Sequence, residues 1–85
     1  MIKLDENKNI ISSRLREARC QERPKTTQND ISARLQILGV TLSASSIGKI
    51  EKGQRAVTDI QLVAFAKALN VIVAWLLGEE PRKQR

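Results

Sequence analysis

Positive charge is the main chemical feature of this 85-residue chain. The sequence contains 15 Lys and Arg residues against 9 Asp and Glu residues, which gives a formal net charge of +6 and a pI of about 10.1. This balance favours a polyanionic partner, either nucleic acid or an anionic membrane surface, although a solvated basic surface would also explain it. In so small a domain, a pI above about 9 favours nucleic acid.

Side chains that enzymes use for catalysis and metal binding are scarce. The chain has no His, no Tyr and one Cys, so we predict no enzymatic activity, no cofactor and no metal site. Cys20 has no disulfide partner within the chain, which fits a reducing cytoplasm. The sequence has no signal-peptide apolar region and no apolar run near the ~20 residues that span a bilayer. We therefore expect a soluble, cytoplasmic protein without a membrane partner.

The segment from Thr27 to Arg55 contains two short helical patterns joined by a turn. Residues that favour helix ends mark both patterns: Thr27 with Asp30, then Gly39, for the second helix of the chain, and Ser43 and Gly53 for the third helix at about 44–52. The inward-facing apolar residues are Ile31, Leu35, Leu38, Ile47 and Ile50. This arrangement is typical of a helix-turn-helix DNA-binding unit.

Three further helices complete an all-α fold. The first is expected from about Ile10 to Glu22, because Pro24 prevents its continuation. A capping box at Thr58–Gln61 opens the fourth helix, which is apolar nearly all round and should be the most buried. A short fifth helix follows at Val73–Leu77. We predict one compact five-helix domain over 10–78, with tails at 1–9 and 79–85.

Four segments resemble the phage repressor and Cro-like helix-turn-helix family, also called the XRE family. They are Ile11–Arg19, Thr27-Gln28, Ile47–Gly53 and Ala66–Gly78. Their order and spacing extend the resemblance over about 10–78. It implies a repressor-like helix-turn-helix fold with double-stranded DNA as the partner.

The resemblance also implies which residues contact DNA. Gln28 matches a glutamine at the N-terminus of the second helix, where exposed amides favour phosphate. The positions that read bases correspond to Ala44, Ser45 and Lys49, and those that touch phosphate correspond to Ser43, Lys52 and Gly53. Lys49 is the best candidate for reading guanine, a contact worth about 1–3 kcal/mol of discrimination. Arg55, in the basic loop after the third helix, is expected to bind the DNA backbone.

Arg19 and Glu51 match an ion pair that joins the first helix to the end of the third helix in close relatives. We interpret the pair mainly as structural, because it would fix the third helix and keep Arg19 near phosphate. If the pair is buried, breaking it would cost about 3–5 kcal/mol. If the pair is exposed, it contributes at most about 1 kcal/mol.

The sequence departs from the family pattern in four places. About five additional residues separate Leu35 from Ser43, so the second helix or the turn must be longer. Ala44 and Ser45 replace long amides, which leaves thymine-methyl or water-mediated contacts. Gly48, inside the third helix, either allows close approach to DNA or is simply tolerated. Ile72 stands where a capping Ser is common in the family.

The resemblance implies a sequence-specific transcriptional regulator, most often a repressor. In this interpretation a dimer places two third helices in successive major grooves, about 34 Å apart, on a pseudo-palindromic operator and excludes polymerase. The fifth helix with Trp75 and the C-terminal tail would supply the dimer contact, or the dimer would form only on DNA. Trp75 could instead close the edge of the core.

A second hypothesis comes from a different functional class. The same fold could serve as a protein-interaction module, antitoxin-like or an adaptor, that holds a partner on the surface of its fourth and fifth helices. The short side chains at the start of the third helix keep this alternative open. Substitution of Lys49 and Lys52 should abolish DNA binding, whereas substitution of Trp75 should abolish partner binding.

Overall fold

The computed structural model describes residues 4–84, with side chains from Ile10 to Gln84. Residues 4–84 form five α-helices and no β-strand, which confirms the all-α prediction. The helices are α1 (Leu4–Gln21), α2 (Gln28–Ile37), α3 (Ala44–Glu51), α4 (Asp59–Leu69) and α5 (Val73–Leu76). Over the described range, no helix combines the length and apolar character needed to cross a membrane. The predicted tails extend outside the described residues at 1–3 and at 85.

The first helix is longer than the apolar periodicity indicates. It begins at Leu4, six residues before the expected start at Ile10. Residues 4–9 contain neither Gly nor Pro, so no residue there is a strong helix breaker. The predicted inward face is confirmed, because Ile11, Leu15 and Ala18 are buried.

Local hydrogen bonds start α2 and α4 at the predicted residues. Thr27 Oγ1 accepts the Asp30 N–H at 3.1 Å, and the Asp30 carboxylate accepts the Thr27 N–H at 2.9 Å. The same reciprocal pair forms between Thr58 and Gln61 at the start of α4. Accepting the Thr27 N–H also lowers the pKa of Asp30 below its ordinary value. Both capping boxes are therefore confirmed.

The longer connection between α2 and α3 is packed into the core. Gly39 ends α2 with a φ of +86°, and the chain then runs extended to Ser43. Val40 and Leu42 alternate inward and are buried, which places part of the additional length inside the domain. On α2, the Ser32 hydroxyl donates to the Leu42 carbonyl at 2.5 Å and holds the extended segment against the helix. The additional residues thus form an ordered part of the fold.

The fourth helix is buried on one face and exposed on the other. Its inner face comprises Ala64, Phe65, Ala66 and Leu69, which are buried. On the outer face, Ile60 is 75% exposed and Val63 is 44% exposed, and both line one open groove with Leu38 (42%) from the end of α2. The expectation that Leu38 faces the core is therefore wrong, and the apolar residues on the outer face of α4 lie outside the core. We call the surface formed by Leu38, Ile60 and Val63 the α2–α4 patch.

Trp75 lies in the core, where it is 4% exposed. The Arg14 guanidinium lies 4.8 Å from the centroid of the indole ring and the Lys83 ammonium 5.4 Å from it, so two cations cover the ring. Arg14 Nη1 also donates to the Trp75 carbonyl at 2.7 Å. Of the two alternatives for Trp75, closure of the core is correct. The indole ring is therefore not accessible to a second copy of the chain.

The chain after α5 folds back onto that helix. The Ile72 N–H donates to the Lys83 carbonyl at 3.0 Å, and the Arg14 guanidinium reaches the Glu80 carbonyl at 3.4 Å. Ile72 provides no side-chain cap to α5, as its residue type predicted, and the helix has four residues rather than five. Gly78 ends the α5 region, where a Cβ atom would lie only 2.9 Å from Ile10 Cγ2. Glycine is needed there because of this close approach to α1.

Candidate nucleic-acid interface

Two buried isoleucines attach α3 to the core. Ile47 and Ile50 lie three residues apart on its inner face and are almost completely buried. The opposite face carries Ser45, Lys49 and, just beyond the helix, Lys52, all of which are exposed. α3 therefore presents a polar and basic face to solvent from a rigidly packed position.

Polar side chains surround the N-terminus of α3. Ser43 Oγ accepts the Ser46 N–H at 3.1 Å, which confirms Ser43 as the N-cap. Arg55 lies in the loop after α3, yet its Nη1 donates to Ser46 Oγ at 2.8 Å. Its charge thus lies beside the first turn of α3, near Ala44, which is half-buried. The free amides and the helix dipole at this end also favour negative charge.

The backbone amides that follow α3 donate hydrogen bonds to carbonyls of the helix itself. Gly53 has a φ of +73°, the left-handed conformation predicted for it. The Gly53 N–H donates to the Ile50 carbonyl at 3.0 Å, and the Gln54 N–H donates to the Lys49 carbonyl at 2.8 Å. The Gly53 amide is therefore engaged rather than free for phosphate, and the exposed Lys52 side chain is the group available there.

An ion pair between α1 and α3 fixes the end of α3. Arg19 donates to Glu51 from Nε at 2.8 Å and from Nη2 at 2.9 Å, which is the two-point geometry of a strong arginine–carboxylate pair. The side chains of Arg19 and Glu51 are 13% and 5% exposed, so the pair is largely buried. Arg19 Nη1 also donates to the Thr26 carbonyl at 3.1 Å. The hydrogen bond to Glu51 raises the pKa of Arg19 above its ordinary value.

Gln28 joins this ion pair from the N-terminus of α2. Its Nε2 donates to Glu51 Oε1 at 3.1 Å, and its side chain is half-buried. A Cβ atom on Gly48 would lie 3.3 Å from Gln28 Oε1. Gly48 therefore makes room for the Gln28 amide between α2 and α3, a role that neither sequence-based interpretation of this glycine included.

The other arginines of α1 and of the segment after it differ in whether the guanidinium group is used within the fold. Arg14 covers Trp75, and Arg23 donates to the Cys20 and Glu22 carbonyls. Arg16, in contrast, is exposed in an open groove that also includes Lys52 and Gly53. In the sequence Arg16 is one of four arginines between positions 14 and 23, and its residue type alone does not distinguish it from the others. Its position beside Lys52 makes it a further candidate for phosphate contact.

The candidate residues form one continuous region rather than scattered positions. Gln28, Arg19 and Glu51 meet at the end of α3, Ser43 and Arg55 lie at its start, and Lys49 lies on the exposed face between them. Trp75 is the exception, since it is buried against α1 and the C-terminal residues. α2 and α3 are consecutive helices, and the second of them exposes a polar and basic face, which is the arrangement of the helix-turn-helix class of DNA-binding domains.

The comparison with protein families agrees with this class. A helix-turn-helix family model matches residues 15–76, which is most of the chain. The chain therefore belongs to this helix-turn-helix family, of the Cro/C1 or XRE type, as the sequence resemblance predicted. Neither a curated protein nor a solved structure shows significant similarity to it.

Proposed function

We propose that this protein is a sequence-specific transcriptional repressor that binds a pseudo-palindromic operator in double-stranded DNA as a dimer. The observation that carries the proposal is the position of α3. Its inner face is fixed by Ile47 and Ile50, its end is fixed by the Arg19–Glu51 pair, and its outer face is polar and basic. A helix held this firmly can read bases, because base contacts need a fixed docking geometry.

The side chains on α3 suggest how bases are read. Lys49 is exposed at mid-helix and can donate to guanine O6 and N7 in the major groove. Ala44 and Ser45 lack the long amides that bind adenine at two points. They are suited to a thymine methyl group and to direct or water-mediated hydrogen bonds. Recognition through these three residues would therefore depend strongly on Lys49.

Phosphate contacts would set the position of α3 in the groove. Lys52 and Arg16 are exposed near its C-terminus, and Arg55 lies near its N-terminus. Gln28 and Ser43 stand near the two helix N-termini, where amides favour phosphate. The net charge of +6 adds a general attraction to DNA that depends on salt.

Occlusion would then produce repression. Two copies of α3 in successive major grooves, about 34 Å apart, would cover the operator and exclude polymerase. No catalytic step is required for this output.

The α2–α4 patch favours a second candidate function, a protein-interaction module on the same fold. Three exposed apolar side chains around one groove are typical of a docking site for another chain. In that case the protein would act like an antitoxin or an adaptor, and DNA binding would be secondary. Substitutions in the patch, rather than at the buried Trp75, would then abolish its main interaction.

Selection from random double-stranded DNA, followed by sequencing, tests the proposed function. We expect an inverted repeat that binds about 10³-fold or more tightly than random DNA, with a steep dependence on salt. Lys49→Ala should remove preference at one base position in each half-site. Arg82→Ala removes the same charge from the exposed C-terminal segment and serves as the control. Weak binding without sequence preference would contradict the proposal and leave net charge as its explanation.

A further inference from the structure

The α2–α4 patch is the largest group of exposed apolar side chains that the structure describes. Of the five large hydrophobic residues that are exposed among residues 10–84, three belong to it, namely Leu38, Ile60 and Val63. An open groove runs through the patch, lined also by Val40, Ala64 and two charged residues of α4. Single exposed apolar residues are common on protein surfaces, but a contiguous group marks a binding surface.

The patch is separate from the proposed DNA-binding face. Ile60 and Val63 lie on the outer face of α4, and Leu38 is the C-cap residue of α2. None of the candidate DNA-contacting residues lines the groove. A second groove shares Val63 with the first and extends the apolar surface toward Val73 of α5.

Charges at the two ends of α4 indicate what covers this surface. Asp59 lies in the first turn of α4 and Lys67 in the last turn, and both line the groove. They are eight positions apart, which corresponds to about 12 Å along a helix. Neither residue forms an ion pair with any side chain described from Ile10 to Gln84.

This charge arrangement is self-complementary. If two copies of α4 pack antiparallel, Asp59 of each copy faces Lys67 of the other. Val63 then lies at the centre of the interface, and Ile60 lies about one helical turn from it. A two-fold interface has this property in general, because residue i contacts residue j and residue j contacts residue i. The antiparallel arrangement also places the positive end of each helix dipole beside the negative end of the other.

We propose that the α2–α4 patch binds a second copy of this chain, with the two α4 helices packed antiparallel around Ile60 and Val63. The proposal rests on the proposed function for its biological role, since it names the surface through which the operator-binding dimer forms. Self-association itself can be measured without DNA, so the two proposals fail independently.

Sedimentation equilibrium of the full chain without DNA tests the apolar centre of the interface. The unmodified chain should form dimers, and Val63→Glu should weaken them about tenfold or more, because it places two carboxylates against each other at the centre of the interface. Ile10→Glu is the matched control, since it makes the same substitution at an exposed large hydrophobic residue of α1, outside the patch. Far-UV circular dichroism confirms folding of both variants.

Charge exchange tests the antiparallel arrangement. Asp59→Lys creates two Lys–Lys contacts in its dimer, and Lys67→Glu creates two Asp–Glu contacts, so each variant alone should dimerise more weakly. Mixing the two variants should restore association as a heterodimer, because both contacts then join opposite charges. The double variant Asp59→Lys with Lys67→Glu should likewise form a homodimer.

Three results would overturn the proposal. The first is a chain that stays monomeric at millimolar concentration, which would leave the patch to a different protein. The second is a dimer that Val63→Glu does not weaken. The third is the absence of heterodimers in the charge-exchange mixture. Binding to a single operator half-site, measured separately, tests the proposed function. A chain that forms the dimer but does not bind a half-site would contradict DNA recognition and leave the proposed interface unaffected.

Discussion

The exposed face of α3 and the α2–α4 patch differ in the interactions that surround them. Near α3, Glu51 accepts hydrogen bonds from both Arg19 and Gln28, and Arg55 donates to Ser46 at the other end of the helix. The α2–α4 patch consists of aliphatic side chains, with charge only at the ends of α4. Hydrogen bonds have strict geometry, whereas apolar contact is not directional. The difference indicates that α3 must keep one orientation, whereas a partner that binds the patch needs only a surface of matching shape and charge.

The largest effect is expected when the Arg19–Glu51 pair is broken, because this change affects α3 but not the α2–α4 patch. Arg19→Ala leaves the Glu51 carboxylate largely buried without its main partner, so the free energy of unfolding should fall by about 3 kcal/mol. Urea denaturation measures this loss. At temperatures where the variant stays folded, operator binding should weaken while dimerisation is preserved. A loss below about 1 kcal/mol would show that the pair behaves like an exposed one.

The next effect concerns the salt dependence of DNA binding. Lys52→Ala should weaken binding to operator and random DNA alike, and it should reduce the slope of log affinity against log salt by about 1. Lys67→Ala removes the same charge from the α2–α4 patch. Titration with a single half-site, which does not require the dimer, should show an unchanged slope for Lys67→Ala. Equal changes in both variants would mean that net charge alone determines binding.

A smaller effect is expected at the contact between α2 and α3. Alanine is normally about 1 kcal/mol more favourable than glycine inside a helix. In Gly48→Ala, however, the new methyl group would lie 3.3 Å from Gln28 Oε1, so displacement of Gln28 should cancel most of this gain. The gain should return when Gly48→Ala is made in a Gln28→Ala background, as urea denaturation can show. A full gain with Gln28 present would mean that the amide moves aside without cost.

The smallest effect is expected at a second ion pair, on the side of α2 that faces the end of α1. Arg34 donates to Glu22, which lowers the pKa of Glu22, and the Thr26 hydroxyl adds to the shift. A lowered folded-state pKa means that the stabilisation is complete above the ordinary value of 4.5 and is lost as pH falls through the folded-state pKa. The side chains of Arg34 and Glu22 are 40% and 26% exposed, so the stabilisation from this ion pair should be below about 1 kcal/mol.

Stability at two pH values measures this contribution. Glu22→Gln should be less stable than the unmodified chain at pH 7, and the difference should disappear near pH 3. A difference that persists at pH 3 would show that packing of the side chain, rather than its charge, stabilises the fold.

The sequence by itself determined where most helices begin and end. The capping boxes at Thr27 and Thr58 and the helix-ending glycines Gly39 and Gly53 were all predictable. The reason is that each cap is a hydrogen bond or a backbone conformation within a few consecutive residues. The family resemblance likewise indicated the Arg19–Glu51 pair, because both residues occur in recognisable motifs.

Only the tertiary structure decided which apolar side chains are covered and what covers them. Trp75 is buried because Arg14, 61 positions earlier in the chain, and Lys83 lie against its ring. Ile60 and Val63 have the same apolar character as core residues, yet they are 75% and 44% exposed on the outer face of α4. Gln28 and Gly48 meet because two helices approach there. Periodicity shows which residues share a face of a helix, but the approach of distant segments determines whether that face is buried.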